Sequence, residues 1–183
     1  MHGLLRNYMN IILIGIPASC KSTVGVILAK LLGFDFIDTD LLIQRREQQR
    51  LSEIIATRGL SSFLAVEEAA CLSLQTSHSI IATGDSVVYS EAAMAHLKNM
   101  GTVAYLEVDY PVLEDRLHDI QGRGVALRPG QTLAELYAER VPLYQKYADI
   151  TVEEGQGKLE ETIRAVYDCL KTGAGNVSRI NTP

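Results

Sequence analysis

The segment Gly15-Ile16-Pro17-Ala18-Ser19-Cys20-Lys21-Ser22-Thr23 constrains this chain more than any other. It follows the apolar run Ile11-Ile12-Leu13-Ile14 and leads into a helical pattern, Val24-Gly25-Val26-Ile27-Leu28-Ala29-Lys30-Leu31-Leu32. A strand, a Gly-led loop, a Lys-Ser pair and a helix, in that order, form the context in which a phosphate-binding loop has meaning. Backbone N–H groups and the helix N-terminus cradle a polyphosphate there, the lysine meets the β- and γ-oxygens, and the hydroxyl sits on Mg²⁺. Gly15, Ile16, Pro17, Ala18, Ser19, Cys20, Lys21, Ser22 and Thr23 are therefore the candidate nucleotide-binding residues, with Ser22 also a metal candidate. One position departs from the usual pattern: the second glycine is Cys20.

The bulk properties limit what can surround such a loop. A chain of 183 residues with 47% hydrophobic and 21% charged residues is expected to form one ordinary globular domain. A net charge of −5 argues against a general nucleic-acid surface, which needs a basic stripe. No run approaches 18 apolar residues, so no membrane partner is expected. Three cysteines without C-x-x-C spacing predict neither a disulfide framework nor a zinc site, and a reducing cytoplasm is the natural compartment. Residues 1–9 read as an N-terminal extension with a natural start at Met9, 10–172 as a single domain, and 173–183 as a flexible tail. The domain is expected to be a monomer or weak homodimer.

Strand-like runs alternate with helical periodicity. Strands are expected at Asn10–Ile14, Phe34–Ile37, Ser79–Thr83, Val103–Glu107 and Ile150–Val152. Helices are expected at Lys21–Leu32, Asp40–Gln49, Leu51–Thr57, Leu60–Thr76, Ser90–Lys98, Tyr110–Asp119, Thr132–Tyr147 and Lys158–Leu170. That alternation implies βαβ crossovers and a parallel sheet covered on both faces. Ligands then gather at the carboxyl ends of the strands, where residues 15–22, 38–40 and 84–86 fall. The Gly- and Arg-bearing stretch at about 120–131 reads as a mobile lid. After the second strand, Asp38-Thr39-Asp40 offers two carboxylates at i and i+2, one suited to a metal and one to a hydroxyl. Asp38 is equally suited to cap the helix that follows.

These pieces together resemble the shikimate kinase family of small-molecule P-loop kinases, over about Asn10 to Val152. The resemblance rests on Gly15 through Gly25, Leu32-Gly33, Phe36-Ile37-Asp38-Thr39-Asp40, Gly59 with Phe63 and Glu67, and Ile81-Ala82-Thr83-Gly84. It continues in Arg116, the Arg-bearing lid, and Arg140-Val141-Pro142-Leu143-Tyr144 with Ala148-Asp149. It implies a three-layer αβα P-loop fold with a five-stranded parallel sheet of order 2-3-1-4-5, ATP and Mg²⁺ as cofactors, and phosphorylation of a ring hydroxyl. By the same resemblance, Lys21 stabilises the transferring charge, Ser22 and Asp38 hold the metal, and Asp40 binds the acceptor hydroxyl. Arg140 then clamps a substrate carboxylate, Gly84 and Asp85 line the acceptor, Arg123 closes over the phosphates, and Arg116 lies near the base. The pathway implied is aromatic amino acid biosynthesis.

The departures bear on the acceptor. The family string Gly-Glu-x-x-Phe-Arg reads Gly59-Leu60-Ser61-Ser62-Phe63-Leu64, which removes a carboxylate-binding arginine. Because Glu and Arg are both replaced by Leu, no orphan buried charge is expected, and the Glu67-Glu68 pair reads as a solvated helix face. The family's triple glycine reads Gly84-Asp85-Ser86, which adds an anion. The expected acceptor is shikimate or a similar hydroxylated carboxylic acid. A hydroxy amino acid is the rival, with Arg140 on its carboxylate and Asp40 or Asp85 on its ammonium. A nucleotide-binding pseudo-enzyme is the remaining alternative. His78, His96 and His118 share no ligand spacing, and Tyr137, Tyr144 and Tyr147 read as packing residues.

Overall fold

A computed structural model describes residues 10–117, 125–153, 159–172 and 176–177. The expected extension at 1–9 and the lid residue Arg123 lie outside the described residues.

Five parallel strands, β1 (Asn10–Ile14), β2 (Asp35–Asp38), β3 (Ser79–Ala82), β4 (Thr102–Glu107) and β5 (Ile150–Glu153), lie in the order β2-β3-β1-β4-β5. A two-residue strand, β6 (Asn176–Val177), adds to the open edge of β5. Asn176 and Val177, within the stretch expected to be a flexible tail, therefore pair with the sheet, because an edge strand's unpaired N–H and C=O groups accept one more strand.

The helices are α1 (Lys21–Leu32), α2 (Thr39–Glu47), α3 (Leu51–Arg58), α4 (Leu60–Leu72), α5 (Glu91–Met100), α6 (Tyr110–Arg116), α7 (Leu133–Tyr147) and α8 (Leu159–Thr172). A 3₁₀ turn at Val87–Tyr89, absent from the expected elements, leads into α5. The three layers follow from the two-residue period of a strand. Ile12 and Ile14 of β1 pack on one face with Ile81, Val103, Tyr105, Met94, Leu97 and Tyr144. Ile11 and Leu13 pack on the other with Ile80, Leu106, Val24, Leu28 and Val166. β1 is thus buried on both faces, which explains its unbroken apolar run.

Strand order reverses at β1, which pairs with β3 on one side and β4 on the other. A crevice at the carboxyl end of such a strand is where open α/β sheets take ligands. A smaller core of Ile43, Ile54, Phe63, Ala70 and Ala126 fixes α2, α3 and α4 beside that crevice.

Candidate active site

The loop after β1 owes its path to three residues. Gly15 admits no side chain, since a Cβ there would lie 2.7 Å from both the Leu106 carbonyl oxygen and Ser19 Oγ. Ala18 and Cys20 both adopt left-handed backbone, with φ of 61° and 54°. Cys20 is the residue before α1, so the non-glycine at this position is held in the conformation glycine prefers. The result is a tight curl that points the first N–H groups of α1, which have no partner within the helix, toward the crevice.

The Lys21 ammonium lies inside this curl, donating to the Gly15 and Ile16 carbonyl oxygens at 2.8 and 3.0 Å and to Ser19 Oγ at 3.3 Å. Burial pulls its pKa down, opposed by the carboxylates of Asp85, Asp40 and Asp38. Ile16 itself faces the core, so its contribution to the loop is its carbonyl rather than its side chain. On the far wall, Arg116 Nη1 donates to the Ala18 carbonyl at 3.1 Å.

Asp38 caps α2, and the same carboxylate also reaches the phosphate loop. One carboxylate oxygen accepts from the Asp40 and Leu41 N–H groups at 3.0 and 3.2 Å, capping α2. The other accepts the Ser22 hydroxyl at 2.6 Å. A serine hydroxyl and a carboxylate that converge at the end of a phosphate loop are the hard oxygen donors a Mg²⁺ ion takes together with phosphate and water, so the residues present fit that ion.

Asp40 lines the same cavity of about 460 Å³ as Lys21, Ser22, Asp85 and Arg116. Its Oδ1 is buried without a hydrogen-bond partner. Burial, reinforced by Asp85 and Asp38 and opposed by Lys21, pushes its pKa up to about 7. A carboxyl poised there is suited to accept a proton near neutral pH.

The acceptor side departs from what the sequence suggests. Arg140 is fully buried, and its guanidinium is ion-paired with Asp85 instead of facing an open cavity. It also donates to the Ala126 carbonyl at 2.6 Å and to Tyr89 Oη at 3.1 Å. Tyr144, one turn along α7, donates to the Asp85 carbonyl at 2.6 Å. Gly84 donates its N–H to Thr39 Oγ1 at 2.9 Å.

Glu67 is the residue sequence reasoning misread. Far from a solvated face, it is 2% exposed. Its Oε2 accepts the Ser86 hydroxyl at 2.5 Å, and its Oε1 has no partner. An orphan buried carboxyl therefore does remain after the replacement of Arg by Leu64. Burial dominates its pKa, and despite the Ser86 hydrogen bond the value rises to about 8. The signal was in the helix: Phe63, Glu67, Ala70 and Cys71 recur at i, i+4, i+7 and i+8, the period of one buried face.

The parallel sheet, the phosphate loop with its lysine and serine, and the acidic end of β2 define a P-loop kinase of small molecules. The shikimate kinase family matches residues 17–171. The chain is 35% identical to a shikimate kinase of Thermodesulfovibrio yellowstonii over 170 residues, covering 90% of this chain and 98% of that one. Its fold matches a shikimate kinase from Acinetobacter baumannii in complex with shikimate, with a TM-score of 0.83 at 26% identity over 94% of this chain and 98% of the other. It likewise matches the Aquifex aeolicus enzyme, with a TM-score of 0.77 at 30% identity, over 90% and 98%. The chain belongs to the shikimate kinase family and is an ATP-dependent phosphotransferase acting on an alcohol group.

Proposed function

We propose that this enzyme transfers the γ-phosphoryl group of ATP to a hydroxyl of a small hydroxylated carboxylic acid, with shikimate the acceptor that its family suggests. The observation that carries the reading is Asp40. It is a carboxyl with one unpartnered oxygen and a pKa raised to about 7, lining the same cavity as the Lys21 loop.

The acceptor hydroxyl binds Asp40, which takes its proton as the oxygen bonds to the γ-phosphorus. The bond to the bridging oxygen breaks, and ADP leaves. The loop N–H groups and Lys21 stabilise the charge that builds on the equatorial oxygens. Ser22 and Asp38 would hold Mg²⁺, which when bound neutralises the β- and γ-phosphate oxygens. Arg116 would serve the nucleotide side and Gly84 and Asp85 the acceptor side, and Arg140 would reach an acceptor carboxylate only by exchanging its Asp85 partner. Arg123 would close over the phosphates. Cys71 and Cys169, buried and outside any disulfide, fit a reducing cytoplasm.

The test is coupled ADP release from Mg-ATP against hydroxylated acids, for the parent and for Lys21→Ala. Loss of one such electrostatic contact costs roughly 3–4 kcal/mol, so the variant's turnover should fall by roughly two to three orders of magnitude while its melting curve stays cooperative. Turnover within about tenfold of the parent overturns the role of the loop.

A further inference from the structure

Arg140 already holds a carboxylate, and that carboxylate belongs to the protein itself. The guanidinium is fixed on other sides: Nη2 donates to the Ala126 carbonyl at 2.6 Å and Nε to Tyr89 Oη at 3.1 Å, and Cζ lies 5.1 Å from the centre of the Tyr89 ring. Nη1 donates to Asp85. The Arg140 side chain is 0% exposed, whereas that of Asp85 is 19% exposed and lines the cavity of about 460 Å³ that Lys21 and Asp40 also line. Asp85 thus stands between the buried cation and that cavity. The backbone beneath it is pinned at both ends: the Gly84 N–H donates to Thr39 Oγ1 at 2.9 Å, and the Asp85 carbonyl accepts the Tyr144 hydroxyl at 2.6 Å. The side chain alone is left to move, by turning from one staggered position to another into the cavity. Lys21 is the cation that awaits it there, since Asp85 is the carboxylate that acts most strongly on that ammonium.

We propose that Asp85 is an internal stand-in for the acceptor's carboxylate: an acid binds by exchange, taking Arg140 while the Asp85 side chain turns into the cavity. Both are planar carboxylates, and the arginine fork suits either one. With Asp85 still in place, an arriving acid would meet an anion instead of a cation. Exchange lowers the apparent affinity of every acid by the fraction of molecules in which Arg140 is released; a fraction of about 1% would lower it about 100-fold. A ligand without a carboxylate cannot drive the exchange and gains nothing from Arg140. Asp85 is therefore a specificity-determining residue, which admits acids that outcompete a tethered carboxylate and narrows their advantage over uncharged analogues. The inference rests on the kinase reading only for the identity of the acid.

Two measurements separate exchange from a merely structural ion pair. The first is calorimetric binding of shikimate and of its carboxamide to the ADP- and Mg²⁺-saturated parent, Asp85→Asn and Asp85→Gly, with KM and kcat from ADP release. The preference for acid over amide should widen about 10- to 100-fold in Asp85→Gly, through tighter acid binding, and the fall in KM for shikimate should exceed any change in kcat. Adding Arg140→Met to Asp85→Gly should abolish the widened preference. The second is the melting curve of each protein in sodium acetate against sodium chloride at equal ionic strength. Acetate, the fragment that Asp85→Gly removes, should stabilise that variant, or refold it where it is unfolded in chloride, and leave the parent unmoved. An acid preference equal in parent and Asp85→Gly overturns the proposal, and so does a variant that acetate neither stabilises nor refolds. Absence of ADP release with shikimate from every protein, with the acetate effect intact, overturns shikimate as the acceptor and leaves the exchange standing.

Discussion

Replacing Glu67 by glutamine should make the protein more stable, and by an amount that depends on pH in a calculable way. The buried carboxyl rises from an ordinary value of 4.5 up to about 8, chiefly through burial, with Asp85 and Asp40 adding to the rise and Arg140 opposing it. Between those limits the folded protein keeps a proton that the unfolded chain has released. Stability from this group is fully present below about pH 4.5 and is lost as pH rises through the folded value. The loss is about 1.4 kcal/mol per pH unit, hence roughly 3 kcal/mol by pH 7 and roughly 4–5 kcal/mol above pH 8. Glutamine does not titrate and still offers an oxygen to the Ser86 hydroxyl. The variant should therefore match the parent at pH 4.5 and melt roughly 6–12 °C higher at pH 7, at 2–4 °C per kcal/mol for a chain of this size. Asp40, Asp85, Arg140 and the Cys71 thiol, the titratable groups that face Glu67, are common to both proteins, so the difference isolates Glu67. Denaturant or thermal melts of both proteins from pH 4.5 to 8.5 read it directly. Parallel stability curves, or a variant less stable at pH 8, would refute the placement of Glu67 as an uncompensated buried acid.

Cys20→Gly should stabilise the fold by roughly 1 kcal/mol and tighten ATP binding, because it removes a Cβ from left-handed backbone. Denaturation and nucleotide titration check this, and a loss in both would show that the cysteine is relaxed there. Cys20 should also react with an alkylating agent faster than Cys71 or Cys169, whose thiols are buried and pushed up, and Mg-ATP should protect it. Mass spectrometry showing equal labelling of all three would count against that. Asp85→Asn should destabilise the protein by roughly 3–5 kcal/mol, since it leaves the Arg140 guanidinium buried beside no anion. Asp85→Asn combined with Arg140→Met should recover much of that loss in a double-mutant cycle. A cost below about 1 kcal/mol for the single change would deny the pair its structural role.

Local signals determined a large part of this protein. The apolar run of β1, the curl from Gly15 to Thr23 and the amphipathic start of α1 are contiguous, so strand, loop and helix N-terminus follow from neighbours along the chain. Asp38 is likewise legible, since a cap acts on N–H groups two and three residues ahead. The sheet order came from the family resemblance, and the alternation of strands and helices made it a parallel one.

Other features depend on residues that meet only through folding. The Asp85–Arg140 pair spans 55 positions, and nothing local tells a guanidinium aimed at a ligand from one already held by an anion across the crevice. Glu67 carried a periodic signal, yet two adjacent glutamates on a helix are usually solvated, and only the packing of α4 against the 3₁₀ turn and α5 put one inside. β6 could not be foreseen because two residues have no period, and it exists because β5 leaves an edge open. Sequence thus determined the phosphate end of the site, where function is built from backbone and consecutive side chains. Tertiary structure decided the acceptor end, where charges from α2, α4, α7 and the loop after β3 are balanced against one another in a buried volume.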